Sequence, residues 1–305
     1  MILVLRYACA IEPFIKQPNL LNHSLKVTKM EKQTFIKNYF ERISYTGGQE
    51  PNLSNLTALQ KQHSKAIPFE NTYVLKKLPI DLTKEWIYDK LINKGRGGFC
   101  FEVNYLFYLL LKDLGYEVKF LGGSVFHPMT GQPGHPNEHV LSMVTLDGKL
   151  YMVDVGFGAK CAQEPLLLTY DTELQDPNGI FRYTKENDVI RFECRPKTII
   201  DMDSQAETQS ASEVWRGLYQ FKLSPIDITD TKTAYDFHTT SPMSPFTGGF
   251  YMARFTDIGK TTFVRNVLTV YSSNGNMKEI SKQKEVPEDE FDKELSLHFG
   301  LSKLD

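Results

Sequence analysis

Near Glu117 the spacing of apolar residues changes from a helical period to a strand period. Before it, Phe35, Tyr39, Phe40 and Ile43 recur at three- and four-residue steps, as do Leu56, Leu59 and His63, then Val103, Leu106, Phe107, Leu110 and Leu114. After it, short runs alternate: Val118 and Phe120, Val125-Phe126, Phe181-Arg182-Tyr183, Val189–Cys194 and Trp215–Leu223. Helices followed by strands predict an α+β chain whose two kinds of element are segregated. The expected divisions are a disordered extension over 1–29, a helical bundle over 30–115, an antiparallel β-barrel over 116–225, and an α/β lid over 226–305.

Punctuation supports these elements. Ser54 is the expected cap of the second helix, Ile67-Pro68 its end, and Gly115 the stop of the helix that precedes the switch. Gly122-Gly123 is expected to interrupt the first strand. Asp147-Gly148, between Glu138–Leu146 and Lys149–Phe157, is a preferred type I′ hairpin turn. Asn274-Gly275 is a second hairpin signal, residues 198–214 a polar loop, and Glu288–Phe299 an amphipathic helix. Residues 1–29 carry one acid, Glu12, against Arg6, Lys16, Lys26 and Lys29. They are expected to play no part in catalysis. An organelle-targeting peptide, or a gene model begun before Met30, is the alternative to a disordered tail.

The 35 basic and 37 acidic residues nearly cancel, so neither a nucleic-acid footprint nor a polybasic membrane patch is expected. No apolar run approaches the roughly 18 residues of a membrane span. Cys9, Cys100, Cys161 and Cys194 share no CxxC spacing, so no metal site is expected. Free thiols suggest a cytoplasmic protein.

The stretch Arg96-Gly97-Gly98-Phe99-Cys100-Phe101-Glu102 puts one thiol where a glycine loop enters a helix. The glycines suggest a tight, unusual backbone and leave room beside the sulfur. Backbone N–H groups and the helix dipole favour an anion there, which predicts a lowered thiol pKa and a reactive thiolate. Burial as a small hydrophobe is the competing reading.

A nucleophilic cysteine needs a base, and the base needs an orienting acceptor. Across a two-residue turn Leu146 faces Lys149, so Leu141 faces Asp154 and His139 faces Gly156. His139 and Asp154 then share a face as diagonal neighbours, about 7–8 Å apart at the backbone, which an imidazole and a carboxylate can span. Asp154 lies in the apolar run Tyr151–Phe157, and a buried carboxylate needs a partner. A structural His–Asp pair is the plainer account, but with Cys100 the three make a Cys–His–Asp constellation in papain-like order. His127 and His135 sit in a loop, His63 is expected as a partly exposed helix residue, and His23 and His298 look incidental.

Taken together, Ile67-Pro68-Phe69-Glu70-Asn71, the Arg96–Glu102 stretch, Gly122-Gly123, His139 and Val153-Asp154-Val155-Gly156-Phe157-Gly158, with Thr240-Ser241-Pro242 beyond, resemble the arylamine N-acetyltransferases. The match covers about residues 31–300. It implies a papain-like thiol-transferase architecture of helical bundle, β-barrel and C-terminal α/β lid. It also implies a two-step reaction: Cys100 takes an acetyl group from acetyl-CoA and passes it to an arylamine, hydrazine or N-hydroxyarylamine, with no metal. His139 would move the protons and Asp154 would orient it. Phe69, Val125, Phe157 and Ala159 would line the acceptor pocket. His135, Pro136, Asn137, Phe237 and Ser244 would approach the coenzyme. Glu70 and Arg96 are expected to form a buried ion pair behind the cysteine loop.

Asn137-Glu138, just before the histidine, departs from the family pattern and leaves the preferred acyl group open, malonyl and propionyl included. The rival readings are a papain- or transglutaminase-like enzyme acting on peptides, and a small-molecule-binding module on a retired triad.

Overall fold

The computed structural model describes residues 31–128, 130–195, 214–274 and 277–304. The expectations for 1–29 and for most of 198–214, and the turn residue Gly275, lie outside the described residues, as do Cys9 and His23.

Among the described residues five α-helices precede the period switch: α1 (Lys32–Ile43), α2 (Leu53–Ala66), α3 (Thr72–Leu75), α4 (Lys84–Tyr88) and α5 (Cys100–Asp113). Asn52, not Ser54, caps α2, its side chain accepting from the Asn55 N–H at 2.9 Å. Pro68 follows the end of that helix, and Gly115 follows α5 with φ 90°. A π-helical turn (Asp89–Asn93) continues α4 toward Arg96. His63 is fully buried, contrary to expectation, with Nδ1 2.7 Å from the Tyr39 hydroxyl.

The first sheet has eight strands: β1 (Glu117–Val125), β2 (His139–Leu146), β3 (Lys149–Val153), β4 (Leu166–Leu167), β5 (Leu174–Asp176), β6 (Gly179–Glu186), β7 (Val189–Arg195) and β8 (Arg216–Phe221). All neighbours are antiparallel, in the order β4-β3-β2-β1-β8-β7-β6-β5. Gly122 and Gly123 do not interrupt β1; both keep partners on β2. Met152 and Leu166, near one end of the order, share a core with Phe181 and Ile190 near the other. A sheet whose distant strands bury one another's side chains is curled into a barrel-like form. The β2–β3 hairpin has the expected register, Leu146 against Lys149 and Ser142 against Val153, and its turn residues Asp147 and Gly148 both have positive φ.

Beyond the barrel come α6 (Lys232–Thr240), which periodicity missed, and a meander of β9 (Phe250–Phe255), β10 (Gly259–Arg265), β11 (Val267–Asn274) and β12 (Met277–Glu285). The chain then enters α7 (Phe291–Phe299), whose Leu295 and Phe299 pack on Met252, Phe263 and Leu268. The fold class is α+β, as expected.

A single extended residue ties these regions together. Phe69 exchanges backbone hydrogen bonds with Ala253 of β9 at 2.9 and 3.0 Å, and the Glu70 N–H donates to Gly98 O at 2.9 Å. Gly97 makes the approach feasible, since a Cβ there would lie 2.1 Å from Pro68 O. The glycine pair thus serves close approach; neither Gly97 nor Gly98 has positive φ, so the expected unusual backbone is absent.

Candidate active site

Cys100 is the first residue of α5 and is 5% exposed. Glu102, two residues on, returns to the Phe99 N–H at 3.1 Å and fixes the first turn. The Glu102 carboxylate also receives Lys90 Nζ at 2.6 Å, both side chains being buried. Burial pushes the Glu102 carboxyl up, against the opposing charge and hydrogen bond of Lys90. The sequence did not signal this pair, because Lys90 reads as one more helix cation.

The expected low thiol pKa is overturned. Burial pushes the Cys100 thiol well up, the Asp154 and Glu138 charges add to this, and the N–H groups of Phe101 and Val140 pull the other way. A helix start lowers a thiol only while water or a cation also stabilises the anion. In this site a lone thiolate is unfavourable, so ionisation must be coupled to a nearby base. The thiol itself points at the Glu138 carbonyl, 3.7 Å away, one residue before His139.

His139 opens β2 and Asp154 follows β3, so the hairpin brings them together as its register requires. His139 Nε2 lies 2.8 Å from Asp154 Oδ2, both side chains being 2% exposed. Asp154 accepts four more hydrogen bonds: Asn104 Nδ2 at 2.9 Å, the Gly156 N–H at 2.8 Å, the Tyr219 hydroxyl at 2.9 Å and, more loosely, the Cys161 thiol at 3.9 Å. Burial pushes its carboxyl up, but the His139 charge and the donors outweigh burial and hold it below the usual range. Asn104 stands one turn beyond Cys100 on α5. It also donates to Val140 O at 2.6 Å and accepts from the Val155 N–H at 2.8 Å, lacing helix to barrel. Gly156 permits this contact, since a Cβ would come 2.9 Å from Cys100 Cα. Asn104 and Tyr219 went unnoticed in the sequence. Each sits where a helix or strand residue should, and no spacing reveals the carboxylate it serves.

Phe157 lies edge-on to His139 and to Tyr219, ring centroids 4.9 Å apart in each case. Phe69 sits beside Gly158, whose Cβ would be 3.5 Å from its ring. Ala159 is held through its carbonyl by Lys260 Nζ at 2.7 Å and Asn178 Nδ2 at 2.9 Å. Val125, like Phe157, packs on the barrel core. Of the residues expected near the coenzyme, His135 and Phe237 meet with ring centroids 5.1 Å apart. Asn137, at φ 56°, reaches Asp230 O at 3.4 Å. Pro136 follows His135 in the same loop. Ser244 is buried, its hydroxyl donating to His238 O at 3.1 Å and accepting from the Phe246 N–H at 3.2 Å. That loop is clamped by Asn71, which donates to Phe246 O and Gly249 O at 2.8 Å each and accepts from the Tyr251 N–H at 2.8 Å.

Glu70 and Arg96 are both buried, but their closest atoms, Oε1 and Nε, are 3.9 Å apart. Thr72 mediates between them: its hydroxyl donates to Glu70 Oε2 and accepts from Arg96 Nη2 at 2.9 Å. Among the described residues no cluster of His, Cys, Asp or Glu could hold a metal ion, and no helix is long and apolar enough to cross a membrane.

Comparison with known proteins gives this geometry a lineage. The N-acetyltransferase family model matches residues 52–304. Arylamine N-acetyltransferase 2 of Mus musculus is 34% identical over 278 residues, covering 88% of this chain and 94% of that protein. The arylamine N-acetyltransferase structure from Salmonella typhimurium superposes with a TM-score of 0.79 at 28% identity, covering 89% of this chain and 93% of that one. The Mycobacterium marinum arylamine N-acetyltransferase in complex with CoA gives 0.73 at 28% identity, with 87% and 92% covered. Neither the peptide-directed thiol enzyme nor the retired binding module gains support from these matches. The chain belongs to the arylamine N-acetyltransferase family of acyltransferases.

Proposed function

We propose that Cys100, His139 and Asp154 carry out acetyl transfer from acetyl-CoA to an arylamine, hydrazine or N-hydroxyarylamine through an acetyl-thioester on Cys100. The observation that carries this reading is the set of hydrogen bonds that fixes Asp154, which holds the His139 imidazole by Nε2 in one orientation. Nδ1 is then the nitrogen that takes the thiol proton. The imidazolium so formed is stabilised by the carboxylate, which offsets the cost of a thiolate in a buried site. The sulfur attacks the thioester carbonyl, and N–H groups at the start of α5 are placed to stabilise the oxyanion. His139 returns the proton to the departing coenzyme thiol. In the second half-reaction His139 accepts the proton of the attacking amine.

Phe69, Val125, Phe157 and Ala159 form the acceptor wall in this reading, with Phe157 against the base. His135, Pro136, Asn137 and Phe237 form the coenzyme's approach. Ser244 acts there by shaping its loop, since its hydroxyl is engaged within it. Free thiols at Cys100, Cys161 and Cys194 support a cytoplasmic setting. The test is to incubate the protein with acetyl-CoA alone, measure its mass and map the adduct. One acetyl group on Cys100, discharged by an added arylamine, is the expected result. No adduct, or an adduct elsewhere, would overturn the assignment.

A further inference from the structure

Between β3 and β4 the chain runs as turns, with a 3₁₀ turn at Gly158–Lys160. This segment carries Phe157 and Ala159. Backbone groups outside a helix or sheet need partners from elsewhere. Side chains from three parts of the fold supply them here. Asn178, in the β5–β6 turn, donates through Nδ2 to Ala159 O at 2.9 Å and to Cys161 O at 2.7 Å. Lys260 of β10 donates to the same Ala159 O at 2.7 Å and to Asn178 Oδ1 at 3.1 Å. Gln60 of α2 donates to Ala162 O at 3.0 Å from a fully buried position. Asn178 is itself fixed, since its N–H donates to Asp176 Oδ1 at 2.7 Å. Lys260, Asn178 and the Ala159 carbonyl thus close a triangle of hydrogen bonds. On Phe157, two residues before that carbonyl, the same segment meets the His139 ring edge-on at 4.9 Å, and Gly158 between them meets the Phe69 ring.

We propose that Asn178 and Lys260 are positioning residues for the acceptor: by clamping the Ala159 carbonyl they fix the Phe157–Ala159 wall, and so how tightly an aromatic amine is held in the second half-reaction. The inference rests on the thioester reading and on the acceptor wall given above. A hydrogen bond from a charged donor is stronger than a neutral one, so Lys260 is the stiffer link. Asn178 spreads its hold to Cys161. The first half-reaction depends on other supports. Cys100 is placed by α5, and Asp154 takes Asn104 and Tyr219 as donors while it orients His139. A slackened wall therefore weakens acceptor binding and leaves acetyl uptake in place.

The test separates the two half-reactions. Acetyl uptake on Cys100 from acetyl-CoA is timed by quenched mass spectrometry. The coenzyme is then removed, and loss of the adduct is followed against arylamine concentration. In Lys260→Met and Asn178→Ala the half-saturating arylamine concentration should rise roughly 10-fold, the size of one lost hydrogen bond expressed in binding. Acetyl uptake should stay within about twofold of wild type. Both residues act through one carbonyl, so the double variant should lose little more than the worse single one. Additive losses would assign them separate tasks and overturn the shared clamp. An unchanged half-saturating concentration in folded variants overturns the proposal, as does an equal fall in both half-reactions, which general loosening of the fold would give. Should neither single variant fold, Lys260→Gln decides, since it keeps a donor and loses the charge: weaker acceptor binding with normal uptake supports the clamp, and normal binding overturns it. Normal acetyl uptake with unchanged acceptor binding sinks this proposal alone; no acetyl adduct on wild-type Cys100 removes the thioester reading and this proposal with it.

Discussion

Asp154 and Glu70 are both buried carboxylates set beside a basic side chain, one in the barrel and one behind the cysteine loop. Asp154 takes hydrogen bonds from Asn104, Gly156, Tyr219 and Cys161 and meets His139 at 2.8 Å. Glu70 receives the Thr72 N–H and hydroxyl on one oxygen, while Oε1 has no hydrogen-bond partner and stands 3.9 Å from Arg96. The first arrangement holds the His139 imidazole in one orientation. The second holds two loops together, for which approximate charge compensation suffices. Lys90–Glu102 lies between them in kind, a direct 2.6 Å pair whose task is to anchor the first turn of α5.

The sharpest break of that comparison is Asp154→Asn. The amide removes the charge that stabilises the imidazolium and presents N–H where His139 needs an acceptor. In a serine triad the same change costs about 10⁴-fold in rate. Acyl transfer should fall by orders of magnitude here, with slower alkylation of Cys100 by iodoacetamide at neutral pH. Far-UV circular dichroism should still report a folded chain. Normal acyl transfer in that folded variant would make Asp154 a structural acid only.

Next in size is Lys90→Met, which leaves the buried Glu102 carboxyl without its cation. Loss of one partner of such a pair costs roughly 3–5 kcal/mol. Urea unfolding should show that loss, and an unchanged midpoint would dissolve the anchoring role.

Two buried histidines extend the comparison to pH. His139 has a carboxylate; His63 has Tyr39, and burial lowers its pKa from 6.5 to about 3. The unfolded chain therefore binds a proton that folded His63 refuses. Stability from this site is complete above pH 6.5 and is lost as pH falls toward about 3. By pH 5 the loss should reach about 2 kcal/mol, at ~1.4 kcal/mol per unit. His63→Gln should flatten that part of the profile in urea unfolding series; an equally steep variant would assign the slope elsewhere.

The smallest effect belongs to Glu70→Gln. The amide oxygen can keep the Thr72 bonds, and the ion pair was never in hydrogen-bond contact. We expect about 1–2 kcal/mol, the scale of a single buried polar mismatch, in place of the full penalty of a close pair. A loss as large as that of Lys90→Met would show that distance overstates how loosely Glu70 and Arg96 are coupled.

Local grammar and short-range register were legible in the chain. The period switch near Glu117 announced helices before strands, Gly115 closed α5, and Asp147-Gly148 set the β2–β3 register that brings His139 to Asp154. These follow from backbone sterics and side-chain alternation, which act over a few residues. What no short window contains was decided by the tertiary structure. Tyr219 reaches Asp154 across 65 residues, Asn71 clamps a loop about 180 residues on, and Lys90, in the π turn after α4, meets Glu102 of α5. The thiol shows the same division. The sequence placed Cys100 at a helix start and so predicted an easy anion, but packing removed the water that such an anion needs. Desolvation is a property of everything around the sulfur, so only the assembled fold could reverse the sign of that shift.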